Sequence, residues 1–130
     1  MGLVMRLREI ETKYRYHVVH APDHIISCPA SVADLFAQLY SGADVEHMAV
    51  FLLNNKNAVI GFHHVSKGTA GETLAHPRDV FKTAISEGAS SIILAHNHPS
   101  ENLTPSDEDK TVYTRMSECG EFLGIRVLDM

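Results

Sequence analysis

Hydrophobic and polar positions alternate along this chain with two different periods, and the changes of period mark out its elements. From residue 31, "SVADLFAQLY" places Val32, Leu35, Phe36 and Leu39 at i, i+3, i+4 and i+7, the stripe of a helix with one buried side. Ser31 precedes that stripe as an N-cap residue, and "SGAD" ends it. "HMAVFLLNNKNAVIGFHHVS" is two apolar, β-prone runs around "NNKN", whose residues tolerate positive φ, and it predicts a β-hairpin. "HPRDVFKTAISEG" predicts a second helix, with Pro77 in its first turn and Gly88 as its stop. "SIILAHNH" is a short strand closed by Pro99. After a loop to Pro105, "SDEDKTVYTRMSECGEFLG" is a third helix ending near Gly124, and "IRVLD" a last strand. Upstream, "YHVVHAPDHIIS" alternates loosely and predicts a short strand broken at Pro22, while residues 1–15 are polar, aperiodic and expected to be an extended arm. The order helix, hairpin, helix, strand, helix, strand predicts one α/β domain over 16–130, a mixed β-sheet with packed helices.

Composition narrows the class without changing that outline. A chain of 130 residues suits a single core, and 45% hydrophobic with 21% charged residues is ordinary for a soluble globular protein. No apolar run approaches a membrane span, and the N-terminus lacks the apolar segment of a secretory signal, so no membrane partner and a cytoplasmic location are expected. Cys28 and Cys119 form no framework and no Cys-x-x-Cys pair, and are expected as free buried thiols. The net charge of −5 argues against a broad phosphate-neutralising surface. Nine histidines are the unusual feature.

Two of them carry the chemistry. His96 and His98 stand at i and i+2 at the end of a strand, so their imidazoles share a face, as a metal-chelating pair does. Ten residues on, Ser106 and Asp109 form Ser-x-x-Asp before a helix, a capping-box spacing with Ser106 at N-cap and the acid at N3. Capping does not prevent Asp109 from facing the histidines. The combined pattern His-x-His-x7-Ser-x2-Asp arises by composition alone about two times in a thousand. Two imidazole nitrogens and one carboxylate oxygen suit Zn²⁺, and three protein ligands leave a fourth position for water. Zinc lowers the pKa of such a water from ~15.7 toward ~7. Amide hydrolysis further needs a carboxylate to move the proton and a donor for the oxyanion, and Ser106 is placed for the latter. Glu46, Glu72, Glu101, Asp107 and Glu108 are all candidates for the carboxylate. Glu46 has the advantage of starting a strand, a more rigid support than a loop.

These residues resemble the JAMM motif of the MPN/JAB metallohydrolases. "FLLNNKNAVI", "HPRDVFKTAISEGASSIILAHNHPS" and "TPSDED" further resemble the RadC branch of that superfamily, over residues 30 to 129. The resemblance implies a cytidine-deaminase-like zinc hydrolase fold with one Zn²⁺ per chain held by His96, His98 and Asp109. It also implies Ser106 as the residue stabilising the tetrahedral intermediate, and Glu46, at the head of the first hairpin strand, as general base. The implied partner is a peptide or protein substrate.

Three features depart from the family. Glu101 stands where the family usually has glycine, nothing matches the N-terminal helix-hairpin-helix region of longer members, and the chain stops after "VLDM", where members continue with a His and closing strands. The last point implies a truncated C-terminus or a sheet completed by a partner, such as a second copy of the chain. The rival function is a non-catalytic RadC-type module in DNA repair or protein complexes, with nucleic acid a partner by family association alone. The other histidines are expected to be structural or on the surface: His76 at a turn or helix start that packs near the site, His63 and His64 on opposite faces of one strand, His47 pointing away from Glu46's face, and His17, His20 and His24 in an irregular region.

Overall fold

A computed structural model describes residues 2–21, 29–43, 45–67, 76–97 and 107–129, with the backbone alone for 29, 30, 66, 67, 107–109 and 129. Seven elements follow the order read from the sequence: α1 (Pro29–Leu39), β1 (His47–Leu53), β2 (Val59–Lys67), α2 (Pro77–Ser86), β3 (Ser91–His96), α3 (Asp107–Leu123) and β4 (Arg126–Asp129). The helix α1 begins two residues before Ser31, so Ser31 lies inside it and is not its N-cap. Residues 16–21 form no strand, so the described part of the loosely alternating segment is irregular; the rest, including Cys28, lies outside the described residues.

The strands form one sheet in the order β2-β1-β3-β4. β1 pairs antiparallel with both β2 and β3, and β3 pairs parallel with β4 across the α3 crossover, which makes the sheet mixed. Alternation along β1 divides the core in two. Met48, Val50 and Leu52 join Ile92, Leu94, Val80, Phe81, Val112 and Met116 beneath α2 and α3. Ala49, Phe51 and Leu53 join Ile93, Val32, Leu35 and Phe36 beneath α1. Because both faces of β1 and β3 are covered, these strands read as unbroken apolar runs.

Local chemistry sets the corners. In the hairpin, the Asn54 side chain accepts from the backbone N–H of Lys56 and of Ala58, and Asn57 takes φ 60°, a left-handed conformation that asparagine accepts readily. The two helices α2 and α3 end alike. Gly88 and Gly124 stand at φ 68° and 74°, and the residues after them, Ala89 and Ile125, donate back to Ala84 and Gly120 at 2.9 and 2.8 Å. This is the Schellman arrangement, in which the residue past the glycine is also buried, and it turns each helix directly into a strand. Within α3, Gly120 is a packing requirement: a Cβ there would collide with the Ile125 carbonyl oxygen and crowd Val127 and Phe81.

The N-terminal segment has no regular structure over 2–21, but its second half is tied down. The Tyr14 hydroxyl donates to the Glu87 carboxylate at 3.0 and 3.2 Å, the His17 ring meets Phe62 edge-on at 5.5 Å, and the His20 backbone exchanges two 2.8 Å hydrogen bonds with the Gln38 side chain. The bond to Glu87, and then its charge, raise the Tyr14 pKa above its ordinary value. Farther out, Leu3, Val4 and Leu7 are exposed.

Candidate functional site

The strand β3 ends at His96, and the antiparallel register sets His96 opposite Met48 of β1. Glu46 stands two residues before Met48, just outside β1 and in phase with Met48, Val50 and Leu52. The pleat therefore assigns Glu46 and His96 to the same side of the sheet, the side covered by α2 and α3, at neighbouring positions. Both are half-buried. The register carries Glu46 beside His96; of the other four acidic candidates, Glu72 and Glu101 and the side chains of Asp107 and Glu108 lie outside the described residues.

The third helix packs on this side of the sheet through Val112 and Met116. It starts at Asp107, directly after Ser106, so position 109 is its third residue, as the capping-box spacing required. Position 109 precedes the buried Val112 and Met116 by three and seven residues, one face of a helix, and that face joins the same half of the core as Met48 and Leu94. His98 and Ser106 lie outside the described residues, as do the side chains of 107–109. Among the described residues alone, no three His, Cys, Asp or Glu side chains gather as a metal site. The apolar groove between α2 and α3, lined by Phe81, Ile85, Cys119 and Phe122, contains none of the residues singled out by the motif.

One residue the motif passes over holds this edge together. Asn97, between the two histidines, projects its carboxamide onto the stretch of chain that carries Glu46. Its Oδ1 accepts from the His47 N–H at 2.6 Å, and its Nδ2 donates to the Val45 carbonyl at 3.0 Å. Its own N–H points to the His47 carbonyl at 3.4 Å. Both peptide groups that flank Glu46 are thus bound to the residue that follows His96. Sequence reasoning took Asn97 as filler in His-x-His. The available signal was an amide at a strand exit, a group able to replace the missing ladder partner on both donor and acceptor sides.

The other described histidines take structural or surface positions, and His24 lies outside the described residues. His47 turns to the α1 side, its ring 5.1 Å from Tyr40 and 5.4 Å from His64. The Tyr40 hydroxyl lies 3.1 Å from His64 Nδ1. His63 pairs with Val50, on the opposite face from His64, and burial together with the nearby Lys82 lowers its pKa despite the opposing charge of Asp79. His76 caps α2, its Nδ1 accepting from the Arg78 N–H at 3.2 Å. Cys119 is a free, half-buried thiol. No helix among the described residues is long and apolar enough to cross a membrane.

Comparison with known proteins places this arrangement. The RadC-like JAB domain family matches residues 26–130. A UPF0758 protein of Finegoldia magna is 48% identical over 101 residues, covering 78% of this chain and 45% of that protein. One from Rubrobacter xylanophilus is 45% identical over 124 residues, 95% of this chain and 55% of that protein. A third, from Staphylococcus epidermidis, is 47% identical over 104 residues, 80% of this chain and 46% of its own length. The chain spans about half the length of these relatives.

Proposed function

The chain belongs to the RadC-like JAB domain family, and on that premise we propose that it is a zinc-dependent hydrolase cleaving a peptide or isopeptide bond. The observation that carries this reading is the β1–β3 register, which brings Glu46 alongside His96 from 50 residues away in sequence. Two further facts support it: the start of α3 at Asp107, and the alignment of position 109 with the buried Val112 and Met116.

The donor set fits zinc. His96, His98 and Asp109 offer two imidazole nitrogens and a carboxylate oxygen, a borderline-to-hard combination. His96 is half-buried at a strand end, where the strand fixes its approach. Bound there, zinc supplies the Lewis acidity that makes water a nucleophile at neutral pH. Glu46 accepts the proton of that water and passes it to the departing amine as the C–N bond breaks. The Ser106 hydroxyl donates to the oxygen on which negative charge develops. A chain of net charge −5 fits a protein or peptide substrate better than a nucleic-acid backbone.

The deciding experiment measures zinc per folded chain by elemental mass spectrometry, on protein purified without chelators or an affinity metal, together with hydrolysis of a quenched-fluorescent peptide library. About one zinc per chain is expected. Glu46→Gln should keep the zinc and lose hydrolysis. A protein that holds no zinc and takes none up on titration would sink this reading. Ser106 and Asp109 would then serve as a helix cap in a non-catalytic module of DNA-repair or protein complexes.

A further inference from the structure

Resting on the metallohydrolase reading, we propose that Asn97 is the positioning residue of this site: its side-chain amide fixes the backbone on both sides of Glu46 and so holds the Glu46 carboxyl beside His96. Glu46 sits just before β1 begins, and among the described residues its backbone makes none of the ladder bonds that fix Met48 and the residues after it. A base in such a position would move with its loop. The Asn97 carboxamide supplies what the ladder does not. It binds the carbonyl before Glu46 and the N–H after it, and leaves Glu46 between two fixed peptide planes. The bond to the His47 N–H, at 2.6 Å, is just shorter than the ordinary N–H···O range.

The anchor of this clamp matters as much as its grip. Asn97 is covalently the next residue after His96 and the one before His98. A displacement of β3 at its exit therefore moves His96 and the Glu46 backbone together. Base and strand-end histidine become one unit even though they arrive on different strands. An amide does this with one side chain, because the two flanking groups are an acceptor and a donor and need a donor and an acceptor in return. Aspartate would keep the bond from His47 N–H and set a carboxylate oxygen against the Val45 carbonyl. Alanine would make neither bond.

The test uses the whole chain and a paramagnetic metal, with no substrate. Protein carrying isotope-labelled glutamate is loaded with Co²⁺, and the Glu46 carboxyl resonance is identified by its loss in Glu46→Gln. Paramagnetic relaxation of that carbon falls steeply with distance from the ion and so reports where the carboxyl is held. In wild type, strong relaxation is expected. In Asn97→Ala, at unchanged Co²⁺ stoichiometry, it should fall several-fold, with Asn97→Asp between the two. In metal-free protein the His47 amide of Asn97→Ala should exchange about tenfold faster, as it loses its acceptor. Equal relaxation in wild type and Asn97→Ala would overturn the proposal while leaving the hydrolase reading intact. Wild-type protein that binds no metal would overturn both, before any Asn97 variant is made. Should thermal unfolding show that Asn97→Ala does not fold, Asn97→Asp carries the comparison, and a relaxation equal to wild type would overturn the proposal.

Discussion

Along β1, Ala49, Phe51 and Leu53 lie under α1, while Met48, Val50 and Leu52 lie under α2 and α3, and both rows are almost wholly buried. Followed back toward residue 45, the two rows diverge. The α1 row runs into His47, whose ring is covered by Tyr40 and His64 within an aromatic group that also includes Phe36, stacked on Tyr40 at 4.5 Å. The other row runs into Glu46, beside His96. One residue of offset separates an imidazole used as a packing surface from a carboxylate set beside a strand-end histidine. Residue type alone does not set a side chain's surroundings; the face of the strand does, by deciding whether rings or polar groups lie beside it.

The comparison can be broken most strongly on the polar side. Glu46→Gln should lower hydrolysis about a hundred- to ten-thousand-fold at unchanged zinc content, the span that removing a general base covers, as read by peptide hydrolysis alongside elemental analysis. On the apolar side, Phe51→Ala should cost about 3–5 kcal/mol in chemical denaturation, since this fully buried ring bridges β1 and Phe62. Gly120→Ala tests the packing of α3 on the same half of the core as the site. The added methyl meets backbone and not a flexible side-chain end, so a loss of about 1–3 kcal/mol is expected in the same assay.

Two smaller effects sharpen the contrast. Tyr40→Phe removes the hydroxyl bound to His64 and should cost about 1 kcal/mol of stability while hydrolysis stays unchanged, because the aromatic cluster lies on the face away from Glu46. His63, by contrast, should make stability depend on pH. Burial first, and then Lys82, hold its pKa below the ordinary 6.5, so as pH falls through that value the unfolded chain takes up a proton that the folded one does not. Its contribution is therefore complete above about pH 6.5 and declines below it. Denaturation midpoints at about pH 7.5 and 5.5 should differ less in His63→Gln than in wild type.

Much of the fold was legible because its signals are local. Every helix and strand in the chain order follows from periodicity and punctuation: the stripe Val32, Leu35, Phe36 and Leu39, the "NNKN" turn, Pro77 at the head of α2, and the glycines at 88 and 124 that stop α2 and α3. The misreadings are also local. Ser31 was taken as an N-cap because the apolar stripe begins after it, yet α1 starts at Pro29, a residue that suits a first turn. The loose alternation after Tyr16 predicted a strand, and its described part is not one. What ties residues 14–20 down instead is contact with Glu87, Gln38 and Phe62, partners too distant in sequence for a local pattern to reveal.

The candidate site divides in the same way. The sequence by itself determined the candidate donor types, their spacing within His96–Asp109 and the position of 109 in the first turn of α3, because these depend on periods of two and of about 3.6 within single elements. Tertiary structure alone decided that Glu46 stands beside His96, since that follows from the pairing of Met48 with His96 across two strands. It alone decided that Asn97 binds both peptides around Glu46. The reason is physical: a hydrogen-bonded register between strands is fixed by the packing of both faces at once, and no window of sequence contains both partners.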